Sequence, residues 1–553
     1  MVCKAGRRRE APRFVFDFAS RALMSRLLTW CQEALERRPP LVGEDGTLRI
    51  HTLFSRPRPI RSLYPLAHVH ATETSESNEK DDGAVPTWQE HVVVLAAWSP
   101  PGEALRLAYA LELYVYTLPR ERSAVVYVSK LDSSGYGPQA PCAHVRKYVK
   151  DTAAVTTDPA TSALGATMPL SLTAALTIAV LTYFASREHW PDLVDHVSLH
   201  VLARAQHAYL FPSSEQHPGK RVLSDAALIR WWHTCLSEVV LFARHQLATR
   251  VDPFYVIPGY ERLDSHAIVP LARPEQVHIP ARAHWHYGYP YSARGAGVAD
   301  VEQVPPLPLH ACTWEHRYKP PRDRPAALAA RVIPTLIPVF PDDPKGRFLH
   351  EQASTAHAPG VSCPQAIMQC KPAPTPAQRD AMHERYVLER LSVDGFWQRM
   401  GYRQECCSGN AVGIFVVGIT TTCRDHHLQF THPCTPPTDV AAPPAQACAL
   451  PHPMLDDIVL KYMMQDTCTW NVPADAAHCT RRLYDAVDRA LRRKGCQSMP
   501  CVEIPLHTVP EDVKARAHDA CSGHEANASA TRQRDSSPPV RVLSVKKKRP
   551  RRE

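Results

Sequence analysis

Three long apolar runs most constrain how this chain can fold. HVVVLAAW (91–98), ALELYVYTL (110–118) and SAVVYVSK (123–130) follow in close succession. They are rich in the β-branched and aromatic residues that fit a pleated sheet. Only PRER separates the last two, so they read as a hairpin. VSLHVLARA (197–205) and the run at 412–420 add two more strands. Helical patterns alternate with them: 24–38, 377–392, 475–493, and SDAALIRWWHTCLSEVVLFARHQL at 224–247. In the last of these Ser224 caps the start, and Leu228, Trp232, Cys235 and Val239 share one face. The alternation predicts an α/β (α+β) chain with one dominant mixed sheet flanked by helices, and there is no internal repeat. MPLSLTAALTIAVLTYFAS (168–186) is borderline in length for a membrane span, holds several Ser and Thr, and lacks basic flanks. It reads as a buried core helix.

Proline explains the spaces between these elements. The 553 residues include 52 prolines against 22 glycines, which implies long punctuated loops. Insertions are expected near 72–87, 138–167, 293–330 and 433–453. The net charge of +9 sits entirely at the two ends, MVCKAGRRREAPR and KKKRPRRE. A neutral body does not suit a main surface that grips DNA, and no sequence-specific DNA binding is expected. The terminal run reads as a nuclear localisation signal or as a solvated charge run. Seventeen cysteines without even spacing suggest reduced thiols in a cytosolic or nuclear compartment. Cys423, His426, His427, His432 and Cys434 can be drawn as a zinc site, but no paired CxxC supports it, and no metal is expected.

The chain has no GxxxxGK[ST] phosphate loop, no GxSxG elbow and no HExxH. Three patches remain. VSKLDSSGYG sets an acid at a strand end beside a glycine turn, where sheet enzymes place reactive groups; it also reads as a plain turn aspartate. ARAQHAYLFPSS with RVLSDAALIRWW gathers Tyr209, Phe211 and two tryptophans, an aromatic pocket or simply aromatic core. In FPDDPKGRF (340–348), Asp343 is placed to cap a helix that opens on Pro344, after a strand-like VIPTLIPV. The cap holds Lys345 and a carboxylate together at the helix mouth.

In this order, LELYVYTL…VYVSKLDSSGY, ARAQHAYLFPSS, LIRWW, WHYGYPY and FPDDPKGRF closely resemble the fungal histone H3 lysine-56 acetyltransferases, a family structurally akin to the CBP-type enzymes. The resemblance runs from about Leu27 to about Thr420. Met24 aligns with the family's first methionine, so residues 1–23 read as an extension or a misplaced start. An acetyltransferase domain over 24–514 and a disordered basic tail over 515–553 follow from it.

The resemblance implies acetyl-CoA as co-substrate and assigns the site position by position. Asp132 matches an aspartate at the acetyl-CoA pocket, with Leu131 and Ser133 beside it. Trp232 matches the wall of the substrate-lysine tunnel, Trp231 a cofactor contact and Tyr209 an active-site tyrosine. Asp343 matches a proton acceptor and Lys345 a lysine that becomes autoacetylated. Arg221, Val222 and Leu223 match a backbone segment on the cofactor, with Gln206 nearby; Leu202 replaces a family phenylalanine. Leu170, Ser171, Leu172, Thr173 and Ala174 align with the segment that cradles the pyrophosphate. That segment has no basic side chains here, so backbone N–H groups at a helix start would bind the phosphates. The implied partners are histone H3–H4 and chaperones of the nucleosome-assembly and anti-silencing types, with no membrane, in the nucleus. A non-catalytic chaperone-binding scaffold is the alternative, and the depleted phosphate segment is the feature that favours it.

Overall fold

The computed structural model describes, with short breaks, residues 26–60, 87–141, 170–269, 283–290, 337–354, 391–402, 411–420 and 449–518. Helix α1 (Arg26–Arg37) precedes strands β1 (Gly46–Phe54), β2 (Arg58–Ile60), β3 (Thr87–Ser99), β4 (Arg106–Leu118) and β5 (Ser123–Ser133). Then come α2 (Leu172–Ala185), β6 (His196–Ala203), α3 (Asp225–Gln246), β7 (Arg250–Val256) and β8 (His286–Tyr287). The chain continues through α4 (Pro344–Ser354), α5 (Val393–Gly401), β9 (Gly413–Thr420), α6 (His452–Val459), α7 (Pro473–Arg492) and β10 (Cys501–Leu506). All these strands join one mixed sheet in the order β10-β1-β3-β4-β5-β6-β9-β7-β8, with β2 beside β3. The pairs β5–β6 and β7–β8 are parallel and the rest are antiparallel. The sheet is the one the alternation predicts, and the hairpin across PRER is β4–β5.

The central strands are apolar along their whole length because the sheet is covered on both faces. In β3, Val92, Val94, Ala96 and Trp98 pack under α1, α2 and α3. Val93, Leu95 and Ala97 point the other way, toward Leu455 and Val459 of α6 and Leu483 and Val487 of α7. A third apolar cluster joins Phe348 of α4 and Phe396 and Trp397 of α5 to Phe254, Ile414 and Val416. Helix α2 is apolar all round, as a helix packed on every side must be, and nearly all of it is buried. No helix among the described residues is long and apolar enough to cross a membrane.

The parallel β5–β6 pair creates the functional end of the sheet. Both strands run toward the same edge, and the helices that follow them, α2 and α3, begin beside it. That is where α/β sheets open a ligand crevice. Ser171 caps α2 by accepting from the Ala174 N–H, and Ser224 caps α3 in the same way through Ala227.

Several expectations shift. Ile337–Phe340 carry no strand, because Pro338 cannot donate to a ladder. Helix α6 begins at His452, inside the loop expected over 433–453, and a helical turn at 512–516 runs into the expected tail. Strands β1, β7 and β10 carried too little apolar pattern to be predicted; β7 even holds Pro253. The helix expected at 377–392, the cluster 423–434, residues 1–23, the basic terminus and most of the insertions lie outside the described residues.

Candidate active site

A cavity of about 510 Å³ opens between the ends of β5 and β6 and the starts of α2 and α3. Its walls include Leu131, Asp132 and Ser133 from β5, Ser171, Leu172 and Thr173 at the mouth of α2, and Leu202 of β6. Gln206 and Tyr209, then Arg221, Val222 and Leu223, line it from the following loop, and Trp231 and Trp232 from α3. Residues far apart in sequence thus share one wall. Four others stand outside it. Leu170 gives its carbonyl to the Leu41 N–H, and Ala174 donates to the Ser171 cap. Asp343 and Lys345 do not line the cavity.

Asp132 is already fully engaged. One carboxylate oxygen, Oδ2, accepts from the backbone N–H groups of Tyr209 (2.7 Å), Leu210 (2.9 Å) and Phe211 (3.2 Å). The other, Oδ1, accepts from the Ser133 N–H and from Lys220 Nζ, each at 2.8 Å. The carboxylate therefore folds the 209–211 turn onto the end of β5. Lys220 also donates to Ser214 Oγ at 2.7 Å and is buried with Asp132. Lys220 was not legible as a site residue; it sits in a Pro/Gly loop without periodicity. Its neighbourhood is tight: a Cβ on Gly135, which has φ +95°, would lie 2.7 Å from the Lys220 backbone nitrogen. The glycine of the SSGYG turn thus lets two loops touch at the cavity wall.

Tyr209 donates its hydroxyl to the Arg204 carbonyl at 2.6 Å, and burial pushes its pKa up to about 12. The Trp231 and Trp232 rings meet edge to face, 5.0 Å between centroids. Trp232 is buried against the core, while Trp231 is half-buried. At the mouth of α2, the N–H groups of Leu172 and Thr173 belong to the first turn, which leaves them without intrahelical acceptors. Aimed at a cavity that also presents Arg204, Lys220 and Arg221, they suit an anion.

FPDDPKGRF forms the cap its spacing predicts. Asp343 Oδ1 accepts from the Lys345 N–H at 2.9 Å, and α4 opens on Pro344. Oδ2 lies 2.8 Å from Lys345 Nζ, and both side chains are shut away from solvent, at 0 % and 2 % exposure. Nζ stands 5.2 Å from the centroid of the Phe340 ring, which stacks on Tyr127 at 4.2 Å. Phe340 also meets His200 edge-on. His200 pairs with Ser198 and is held well below the usual histidine pKa, by burial first and the Lys345 cation second. Ser198, His200 and Leu202 alternate onto one face of β6. The buried ion pair therefore packs beside the same strand that supplies Leu202 to the cavity.

The model of the histone acetyltransferase KAT11-type domain matches residues 177–517, well over half of the chain. The chain belongs to this family. The match begins inside α2, so Asp132 and the mouth of α2 precede it, while 202–232 and 343–345 lie within it. The histone acetyltransferase rtt109 of Aspergillus flavus is 25 % identical over 341 residues, 59 % of this chain and 47 % of that protein. The rtt109 of Schizosaccharomyces pombe is 25 % identical over 234 residues, 40 % of this chain and 41 % of its own. The chain thus spans less than half the length of these curated relatives. The crystal structure of Rtt109 from Aspergillus fumigatus superposes with a TM-score of 0.54 at 18 % identity. It covers 88 % of this chain and 100 % of its own, and it shares the fold. The resemblance read from the five motifs is confirmed at the level of the family.

Proposed function

We propose that the protein is a histone lysine acetyltransferase that uses acetyl-CoA and acts on newly made histone H3, at lysine 56 and N-terminal tail lysines. We place it in the nucleus, supporting nucleosome assembly behind replication and the response to DNA damage, with H3–H4 presented by chaperones of the nucleosome-assembly and anti-silencing types. The observation that carries this reading is the cavity itself. It combines a helix mouth and cations suited to a pyrophosphate with an aromatic slot suited to a lysine stem.

The co-substrate supplies an activated acetyl group, and the chain's residues do the rest. Leu172 and Thr173 N–H groups, with Arg221, hold the phosphates; the backbone at 221–223 and Leu131–Ser133 hold the pantetheine arm. Trp231 and Trp232 enclose the lysine stem, and exclusion of water there disfavours the ammonium, whose ordinary pKa is ~10.4. Asp132 positions the turn that carries Tyr209. The resemblance makes Asp343 the proton acceptor; here it lies behind the cavity, and acetylation of Lys345 would release its Oδ2 from the ion pair. One observation favours the scaffold reading: both oxygens of Asp132 and both of Asp343 are occupied as the chain stands.

Incubation of the chain with acetyl-CoA and H3–H4, with and without each chaperone, followed by mass spectrometry of all proteins, decides between them. Acetyl groups on H3 and on Lys345 are expected. Chaperone binding with no transfer to H3 would make the scaffold reading correct.

A further inference from the structure

On the far face of the sheet from α1–α3, His91 of β3 meets His452 and Asp456 of α6. His452 and Asp456 are four residues apart, so they project from one face of the helix. His91 Nδ1 lies 2.8 Å from Asp456 Oδ1, and His452 Nδ1 lies 3.0 Å from Asp456 Oδ2. One ligand atom from each of the three falls within 4.8 Å of the others. Both rings are buried, and Asp456 alone reaches solvent, at 35 %.

The hydrogen-bond arrangement around His91 is what sets this cluster apart. Its Nε2 is 3.0 Å from Glu112 Oε1, which is itself buried. Glu112 Oε2 is held in turn by Lys130 Nζ at 2.6 Å and Ser129 Oγ at 2.9 Å. Glu112 fixes Nε2, which sets the other ring nitrogen, Nδ1, 2.8 Å from Asp456 Oδ1. His452 Nε2 is buried and has no hydrogen-bond partner. A cation, either a proton on the His91 ring or a metal ion, holds such a set of acceptors together. A carboxylate on the outer nitrogen of a buried histidine, with the inner one aimed at a second histidine and a second carboxylate, is the outer-shell arrangement of a histidine metal site.

We propose that His91, His452 and Asp456 bind one divalent transition-metal ion, with Glu112 orienting His91. Two imidazoles and a carboxylate favour zinc, and the exposure of Asp456 leaves a fourth position for water. Ligands at ~2.0–2.1 Å from a tetrahedral ion stand roughly 3.3 Å apart, so the two short contacts must open slightly and the longest separation close by an ångström or so. The ion would pin α6 to β3. Through Glu112 and Lys130 it would stiffen the β4–β5 wall of the acetyl-CoA cavity, which Lys130 lines. A protonated His91 bridging Glu112 and Asp456 is the metal-free arrangement it must displace.

The test uses the full chain, stripped with chelator and titrated with Zn²⁺ and Co²⁺. Stoichiometry is read by elemental analysis, Co²⁺ geometry by visible absorption, and folding by circular dichroism. Zinc at one equivalent should bind at micromolar concentration or tighter and raise the melting temperature by several degrees. Co²⁺ should give the visible bands of a four-coordinate site without a thiolate charge-transfer band. His452→Ala and Asp456→Asn should each lower the stoichiometry by one ion and abolish the thermal shift while remaining folded. No zinc binding by the wild-type chain, or an ion retained undiminished in folded His452→Ala, would overturn the proposal. The cluster would then be an ion network closed by a proton.

Discussion

At the scale of the residue, the fate of an acid depends on what already occupies its oxygens. Asp132 accepts four N–H groups and an ammonium, so it shapes the cavity wall rather than standing open within it. Lys220 supplies the ammonium, buried and also held by Ser214. Lys220→Met should loosen the 219–223 segment and raise KM for acetyl-CoA about tenfold, roughly 1.4 kcal/mol, with a smaller change in kcat. Steady-state kinetics at saturating histone would show it, and an unchanged KM would remove Lys220 from the positioning of the co-substrate. Asp343 differs, because it faces a single buried cation. In protein whose Lys345 carries no acetyl group, Asp343→Asn should cost about 3–5 kcal/mol by stranding the ammonium. Adding Lys345→Met should recover most of that loss in urea unfolding. If the single substitution unfolds like wild type, the pair contributes little to stability. FPDDPKGRF showed this pairing plainly, since a proline-fixed cap sets both side chains; the occupancy of Asp132 was invisible, because all its donors but the Ser133 N–H come from a segment at least 77 residues away.

At the scale of the element, the mouth of α2 carries the largest claim with the fewest side chains. Its apolar sequence signalled a buried helix, yet LSLTA holds no charged side chain to signal an anion site, only the hydroxyls of Ser171 and Thr173. The role follows from position: the helix starts where the parallel pair ends. Ser171→Asp separates capping from anion binding. Aspartate caps as well as serine, so stability should change by less than ~0.5 kcal/mol. Its charge at the helix mouth should repel phosphates and weaken acetyl-CoA at least tenfold. Thermal melting and calorimetric titration of the same variant test both halves. Undiminished affinity would move the pyrophosphate elsewhere. The long strands and amphipathic helices were legible because each carries its own period. Strands β1, β7 and β10 were not, because their sequences mix polar residues and a proline with apolar ones and take their identity from the neighbours they pair with.

At the scale of the whole molecule, burial of neutral histidines ties stability to pH. Burial lowers the pKa of His51, His196 and His233 to about 4, and that of His200 well below the usual value. The unfolded chain takes up protons at these sites below pH ~6.5 while the folded chain does not, so stability falls as pH falls from about 6.5 to about 4. Each histidine contributes a slope of about 1.4 kcal/mol per pH unit within that window. Denaturant midpoints at pH 7.5 and 5.0 should differ clearly, and equal midpoints would mean these rings are hydrated. The family, the sheet and its helical cover were readable from ordered motifs. The convergence of β5, β6, α2 and α3 on one cavity needed three dimensions.

The most direct test of that convergence is hydrogen–deuterium exchange of the full chain with and without acetyl-CoA. Binding at this cavity should slow exchange at the first turn of α2 and across 219–223, and leave α6 and α7 unchanged. Protection elsewhere, with the mouth of α2 unaffected, would contradict the account.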